Sequence, residues 1–399
     1  MNQHREILFE AISIYNEYGG GTNFEQELAM KGMRLINSGR YKIVFAFKGF
    51  AVAIIAHERV FNFMPQVQKL KELNVDRDLF VYPLGIANNQ VHEQIFVLYE
   101  LCGNQDVCDL VTSSQGSPCS EQEVKKVAQF FTQTSFLRKL FSELKRMHNY
   151  ANDDEGIFNF DIKFENLLVC GNNGQVKFGD IDGFGTTGGN FGVVTFSDVV
   201  SVFGVNDKNY KYHVKWDKRL GMLNDIFNIA FMFFFFKFYL IEKTLGIAYV
   251  NTMRYHAAGE EDSGLYREER DNEVQVKISL YKMFYNEYSL RYEMGHNIDY
   301  FRSRMKLFWQ VTKKFLKTCF IKVGKLDKKV YNDLKSSFIL LGDKTFKSTN
   351  EFTGAYDGFI KSLLEFDFSE VHERRIKRRK LRVEHVPLKR VKSYEQLLF

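Results

Sequence analysis

The chain has 399 residues, of which 45% are hydrophobic and 26% charged, a composition typical of a globular protein with a substantial core. The N-terminal stretch MNQHREILFEAIS has an early acid and no long apolar run, so we do not expect it to be a secretory signal. The five cysteines are an odd number without a C-x-x-C pair. They argue against a disulfide framework and a zinc site, and they favour a reducing, intracellular compartment.

The net charge of +6 is unevenly distributed. Residues 374–392, RRIKRRKLRVEHVPLKRVK, hold ten Lys or Arg and one acid, a local charge of +9, so the rest of the chain carries −3. A solvated charge run of this kind needs no function. Alternatively, RRIKRRK followed by LKR resembles a nuclear-import signal, and the same charges would bind nucleic-acid phosphates without sequence preference. We therefore expect the protein in the cytoplasm or nucleus, with import factors or nucleic acid as partners of the tail.

The first hundred residues are predicted to be mostly strands. Residues 1 to about 30 have apolar residues at helical spacing, and that pattern breaks at the glycines 19–21. The segments MRLINSG, YKIVFAFKG and FAVAIIA then read as strands, each bounded by Gly or polar residues. MPQVQKLKELNV predicts an amphipathic helix that begins near Pro65, and LFVYPLGI and QIFVLYEL predict two more strands.

From about Gln105 onward the pattern is mostly helical. Residues 120–150 carry one apolar stripe over a long span, with Ser120 and Glu123 as a capping-box start. Short strands are predicted around residues 158–169 and in VKFGDI, and helices from Asp225 to about Leu364.

The segment DIFNIAFMFFFFKFYLI, residues 225–241, has the composition of a membrane span. Asp225 begins it and Lys237 interrupts it, which leaves too short an apolar stretch to cross a bilayer. A buried core helix is predicted instead, and no membrane association is expected.

Four polar residues follow the spacing that phosphoryl transfer requires. Asp161, Lys163 and Asn166 form D-x-K-x-x-N, and Asp180 follows fourteen residues after Asn166. In such a site one carboxylate orients the attacking hydroxyl and a Lys meets the moving phosphoryl charge, while an amide and a second carboxylate hold Mg²⁺. The simpler interpretation of residues 158–169 alone is a β-hairpin with polar turn residues.

This pattern resembles the catalytic and metal-binding loops of the protein kinase family, H-R-D-L-K-x-x-N followed by D-F-G. Asn159 and Phe160 stand where the family has His and Arg, and Asp180 corresponds to the metal-binding Asp. A second register would place that Asp at Asp182. VLYELCG, residues 97–103, resembles the connector between the two kinase lobes, and DIFNIA, which begins at Asp225, resembles the start of the buried central helix.

The resemblance covers about residues 31 to 345 and implies an α+β, bilobal protein-kinase-like fold. It divides the chain into a helical extension (1–30), a small β-rich N-lobe (31–103), a larger helical C-lobe (104–365) and a basic tail (366–399). It also implies ATP and Mg²⁺ as cofactors and a protein substrate. Asp161 and Lys163 would be catalytic, and Asn166 and Asp180 would hold the metal. The residues implied to contact ATP are Gly39, Lys42, Val44, Ala53, Tyr99, Glu100, Cys102, Asn166 and Asp180.

The N-terminal part departs from the family pattern. Only Gly39 remains of the three loop glycines, and the phosphate-binding Lys of V-A-I-K is replaced by Ile55. In G-R-Y-K-I-V, however, Lys42 resembles the lysine that the with-no-lysine kinases use from the neighbouring strand. Lys42 either extends into the phosphate space in this way or is a solvent-facing strand residue, as Lys48 is expected to be.

Other family positions are also altered. The regulatory Glu is matched by Gln66, with Glu58 as an outside candidate, and no A-P-E occurs between Asp180 and Asp225. The leading hypothesis is a kinase that phosphorylates Ser or Thr. The alternatives are a pseudokinase that acts as a binding or scaffolding module, and a kinase-like enzyme that acts on a small molecule or lipid.

Overall fold

Among the described residues, the first hundred positions combine helices with five strands, and helices form most of the rest. The protein is mixed α+β, with a small antiparallel sheet of five strands near the N-terminus and helices after it, which confirms the α+β class expected from the sequence. The structure is a computed structural model that describes residues 2–366 except 20, 22, 39–41, 57–63, 65–66, 104–105, 108–109, 112–117, 151–155, 160–161, 172, 180–183, 187–217, 246–248, 254–265, 271–272, 279–283, 285–299, 324–327 and 344–348.

The helices are α1 (Asn2–Tyr18), α2 (Phe24–Met30), α3 (Pro118–Phe131), α4 (Thr134–His148), α5 (Lys218–Leu245), α6 (Tyr300–Val323), α7 (Lys328–Asp343) and α8 (Thr349–Leu364). Residues 67–72 are also helical. The strands are β1 (Arg34–Ser38), β2 (Lys42–Phe47), β3 (Phe50–Ala56), β4 (Gly85–Asn89), β5 (Gln94–Glu100), β6 (Ile157–Asn159), β7 (Leu167–Val169), β8 (Val176–Phe178), β9 (Phe184–Thr186), β10 (Tyr249–Met253), β11 (Tyr266–Arg270) and β12 (Glu273–Ile278).

The five-stranded sheet has the order β1-β2-β3-β5-β4, and every neighbouring pair in it is antiparallel. Its strands are apolar on both faces, because Val52 and Ile54 pack into one core cluster while Ala53 and Ile55 pack into another. Since successive side chains of a strand point to opposite faces, the sheet must be covered on both sides.

Helix α1 covers one of these faces. Ile7, Leu8, Ala11 and Ile12 lie on one side of the helix at the spacing of successive turns, and they are buried against the sheet. Contact is closest at Gly85, where a Cβ would lie 3.0 Å from Leu8 Cδ1. The N-terminal helix is therefore part of the core of the sheet.

The long helix α5 is the centre of the helical region. It is apolar all round, and the phenylalanines that follow Asp225 are almost completely buried and contact helices α3, α6 and α7. By length and composition alone, one helix in the described part of the chain could cross a membrane, at Gly221–Lys243. However, 88% of its apolar window is buried inside the protein. The predicted core helix is thus confirmed, although it begins at Lys218, seven residues before the predicted start.

Three predicted elements differ from the structure. The apolar stripe of residues 120–150 is divided into α3 and α4 because Gln133 has extended backbone angles (φ −66°, ψ 131°) that end one helix and cap the next. LFVYPLGI is not a strand over its length, and β4 begins only after Pro83, at Gly85. Strands β10–β12, an antiparallel sheet of order β10-β12-β11, occupy a region that was predicted to be helical.

Candidate functional site

Four of the predicted ATP-contacting residues lie on one face of the five-stranded sheet. Lys42 is paired with Ile55, Val44 with Ala53, and Tyr99 with Ala51. Because directly paired residues of adjacent strands point to the same face, these side chains share the face of Ala53 and Ile55. Those two residues pack into the core cluster that includes the helices. The four predicted residues therefore face the helical region and not α1.

Lys42 and Lys48 occupy different environments. Lys42 is half-buried and lies directly opposite Ile55, at a Cβ separation of about 5 Å expected for such a pair. Lys48 lies in the exposed turn between β2 and β3, pairs with Glu10 of α1 and lies over the ring of Phe47. Only Lys42 is on the inner face next to the position where the kinase family has its phosphate-binding lysine.

The segment after β5, described at residues 101–103 and 106, is held against the β7–β8 hairpin. Glu100 accepts a hydrogen bond from Lys177 Nζ at 2.6 Å, and Gly103 N–H donates to Val169 O at 2.8 Å. A Cβ at position 103 would lie only 2.9 Å from that oxygen, so the close approach requires glycine. Glu100, the last residue of β5, and Cys102 in this segment are two of the predicted ATP contacts.

Cys102 forms a disulfide with Cys170, the residue after β7. The expectation that this chain has no disulfide is therefore wrong for this pair. The two cysteines are 68 positions apart in the sequence, so no local spacing indicates the bond. The contacts of Gly103 and Asp106 with β7 bring the Cα atoms of the two cysteines to 4.5 Å, a distance within the range of disulfides.

The predicted catalytic segment forms a short 3₁₀ turn at Phe164–Asn166. Apolar residues anchor it, since Ile162 and Phe164 are buried and the Phe164 ring packs on Phe235 of α5 at 4.9 Å. Lys163 and Glu165 alternate with them and are half-buried. This alternation explains how polar residues are accommodated within an apolar stretch.

Asn166 joins this turn to the segment that leads to Asp180. Its N–H donates to Lys163 O at 3.1 Å, and its own carbonyl accepts from Gly179 N–H at 2.8 Å. Asn166 and Gly179 are both buried. The structure thus brings the backbone next to Asp180 into contact with Asn166, the other predicted metal ligand.

Several predicted site residues lie outside the described part of the chain. They are Gly39, Glu58, Gln66, Phe160, Asp161, Asp180 and Asp182. Ile162, which follows Asp161, and Gly179, which precedes Asp180, both lie near the 3₁₀ turn. The choice between Asp180 and Asp182 as metal ligand stays a prediction.

The described ranges contain no group of three or more His, Cys, Asp or Glu residues that could hold a metal. The predicted ligand set is smaller, with one amide oxygen from Asn166 and one carboxylate from Asp180. Mg²⁺ prefers such oxygen ligands, and it is usually bound by one or two protein groups together with water and substrate phosphates. The chemistry of the predicted donor set therefore fits Mg²⁺.

A buried polar chain supports the segment that leads to Asp161. Asp225 is a buried residue of α5, and its Oδ2 accepts from Asn159 N–H at 3.0 Å and lies 2.9 Å from His148 Nε2. The Tyr356 hydroxyl of α8 lies 3.1 Å from His148 Nδ1. Burial, followed by the negative charge of Asp225, raises the pKa of Tyr356 well above its usual value. The sequence pointed to Asn159 and Asp225, but it gave no signal for Tyr356.

Comparison with protein-family models and with curated proteins finds no match to this chain.

Proposed function

We propose that the protein is an ATP- and Mg²⁺-dependent kinase with a bilobal, protein-kinase-like fold that transfers the γ-phosphoryl group to Ser or Thr hydroxyls. The observation that carries this proposal is the pairing of Lys42 with Ile55 on the inner face of the sheet. The ammonium group of Lys42 would reach the ATP phosphates that a lysine at position 55 would otherwise contact, because the Lys42 side chain is long and flexible.

The second support is the turn around Asn166. The hydrogen bond from Gly179 to Asn166 joins the two segments that carry the proposed metal ligands. A sheet face with Lys42, Val44, Ala53 and Tyr99 would cover the nucleotide from one side. The segment at Glu100 and Cys102 would meet the adenine through its backbone.

In the proposed reaction, Asp161 orients the substrate hydroxyl and accepts its proton as the oxygen attacks the γ-phosphorus. The bond between that phosphorus and the bridging oxygen breaks, and ADP leaves. Lys163 meets the charge on the transferred phosphoryl group, and Lys42 the charge on the other phosphates. Bound Mg²⁺ would neutralise charge on the phosphate oxygens, and Asn166 and Asp180 would hold it.

A pseudokinase is the rival function, and one observation favours it. Ile55 is 1% exposed and packs into the apolar core, so β3 supplies no charge to a nucleotide. A scaffold of this kind would need neither Lys42 nor Asp161 for its activity.

The test compares ATP binding and autophosphorylation in purified protein, each with and without Mg²⁺. Lys42→Ala is expected to lose ATP binding, whereas Lys48→Ala, the matched control from the adjacent turn, should bind like the wild type. Asp161→Asn should bind ATP but lose about 3–4 kcal/mol of transition-state stabilisation, a rate loss of about 10²–10³-fold. Wild-type protein without Mg²⁺-dependent transfer, or an unaffected Asp161→Asn variant, would contradict the proposal.

A further inference from the structure

Four elements meet at one buried chain of hydrogen bonds. Tyr356 comes from α8, His148 from the end of α4, Asp225 from α5, and Asn159 from β6. The side chains of His148 and Asp225 are 0% exposed, as is Tyr356 as a whole. No substrate can reach these groups, so their effect must pass through the backbone of Asn159.

The partners of the His148 ring favour one placement of the protons. Asp225 Oδ2 already accepts from Asn159 N–H, so it acts as an acceptor toward His148 as well. His148 Nε2, at 2.9 Å, therefore carries a proton and donates it. In a neutral imidazole the other nitrogen is then an acceptor, and the Tyr356 hydroxyl donates to it. Burial raises the pKa of Tyr356, which keeps this hydroxyl protonated.

We propose that Tyr356 is a positioning residue: its hydroxyl fixes the orientation of the His148 ring, and His148 in turn holds Asp225 against the backbone of Asn159, two residues before Asp161. The effect on phosphoryl transfer rests on the proposed function, whereas the effect on His148 and on Asn159 does not. By this route a helix near the end of the described chain supports the catalytic segment.

The consequence of losing the hydroxyl follows from the same geometry. The Asp225 carboxylate still keeps the proton on Nε2, because two acceptors at hydrogen-bond distance repel each other. Without the hydroxyl, however, the His148 ring loses the hydrogen bond at Nδ1 that fixes its orientation. The imidazole is then free to tilt, which weakens its hydrogen bond to Asp225 and the hold of Asp225 on Asn159 N–H.

The first experiment measures the ring nitrogen signals of His148 by ¹⁵N NMR of the full chain labelled at histidine. The His148→Gln variant is used to assign these signals. Wild type is expected to show the Nε2–H form at His148 with a hydrogen-bonded Nδ1, and in Tyr356→Phe the Nδ1 signal should move to the position of a nitrogen without that hydrogen bond. The control is Tyr239→Phe, because Tyr239 is 1% exposed and its hydroxyl donates to Glu121 O at 3.0 Å. Both variants lose one buried hydroxyl and should show similar losses of thermal stability.

The second experiment measures how firmly the backbone is held at Asn159. Amide hydrogen exchange at Asn159 should be faster in Tyr356→Phe than in Tyr239→Phe. If the protein is a kinase, kcat should fall about tenfold in Tyr356→Phe, with the KM for ATP unchanged. Tyr239→Phe should keep the wild-type kcat.

The outcomes separate this proposal from the function. An Nδ1–H form in wild type, an unchanged His148 signal in Tyr356→Phe, or equal Asn159 exchange in the two variants would each overturn the positioning role. A wild-type protein without phosphoryl transfer, but with the expected imidazole signals and exchange rates, would overturn the kinase proposal and support the positioning role.

Discussion

Lys139 of α4 is the central charge of a surface cluster that fastens residues 72–78 to the helical region. Its ammonium lies 3.0 Å from Asp76 and 2.7 Å from Asp78. Close by, the buried carboxylate of Glu143 accepts from Asp76 N–H at 2.9 Å. The hydrogen bond from Lys139 and its charge lower the pKa of Asp78, and the same pair raises the pKa of Lys139.

These pKa shifts predict how Lys139→Gln changes stability with pH. Because the folded pKa of Asp78 is lowered, its contribution is present above the unfolded pKa near ~3.9 and is lost as the pH falls through the folded pKa. Both side chains are largely exposed, so Lys139→Gln should cost only about 0.5 kcal/mol at pH 7. Urea unfolding of both proteins should show this difference at pH 7 and a smaller difference at pH 3.

Lys361→Gln is the control for that experiment. Lys361 lies 3.8 Å from Glu365 in an exposed i,i+4 pair, so its replacement should have a smaller effect at every pH. An equal loss for Lys139→Gln at pH 7 and pH 3 would show that the charges do not carry the stabilisation.

At the residue scale, the sequence indicates a site when the residue types and their spacing are local. Lys163 and Asn166 were predicted because they belong to one six-residue pattern, and the structure places them on one turn. Tyr356 and His148 are 208 positions apart, and nothing near either one indicates the other. Cys102 and Cys170 escaped prediction for the same reason, because tertiary pairing alone brings them together.

At the scale of elements, the disulfide links the segment after β5 to the β7–β8 hairpin. The hydrogen bonds of Gly103 and Glu100 to the same hairpin also hold this segment, so reduction is not expected to displace it. Loss of the disulfide should act mainly by raising the conformational entropy of the unfolded chain, because a bond between residues 68 positions apart closes a long loop there.

We therefore predict that reduction lowers the free energy of unfolding by about 2–4 kcal/mol. The measurement is urea unfolding with and without a dithiol reductant. The double variant Cys102→Ala/Cys170→Ala should unfold like the reduced wild type and should not respond to the reductant. An unchanged wild-type midpoint under reducing conditions would contradict the prediction.

Elements with a strong periodic pattern were predicted well, whereas those set by a single residue or by tertiary context were not. Strands β1, β2, β3 and β5 and the core helix α5 have long apolar patterns with clear ends. The break between α3 and α4 depends on the backbone of Gln133 alone, inside a continuous apolar stripe. The segments of β10–β12 contain charged residues such as those of YREER, which have no preference for strands.

At the scale of the whole molecule, the two faces of the five-stranded sheet have different roles. One face is closed by α1, which buries Ile7, Leu8 and Ile12 against it. The other face carries Lys42 and Tyr99 and packs toward the helices. A helix that seals the outer face leaves only the inner face for a nucleotide, and this arrangement agrees with the proposed function.

The distribution of charge over the whole chain leads to the last prediction. The segment 374–392 carries +9 and the rest of the chain −3, so binding to import factors or to nucleic acid would depend on this segment. Deleting residues 372–392 should leave autophosphorylation unchanged and move the protein out of the nucleus, as followed by imaging of a tagged protein. Deleting residues 393–399, SYEQLLF, removes no basic residue and should leave the distribution as it is.

The same deletion separates import from nucleic-acid binding. If the tail binds phosphate backbones, the full-length protein should bind DNA with an affinity that falls steeply as salt rises, and the variant without residues 372–392 should lose that binding. If the tail is only an import signal, the two proteins should bind DNA equally weakly while their distributions differ. An unchanged distribution together with unchanged DNA binding would leave residues 374–392 as a solvated charge run, because the acidic remainder of the chain has no comparable basic segment to replace it.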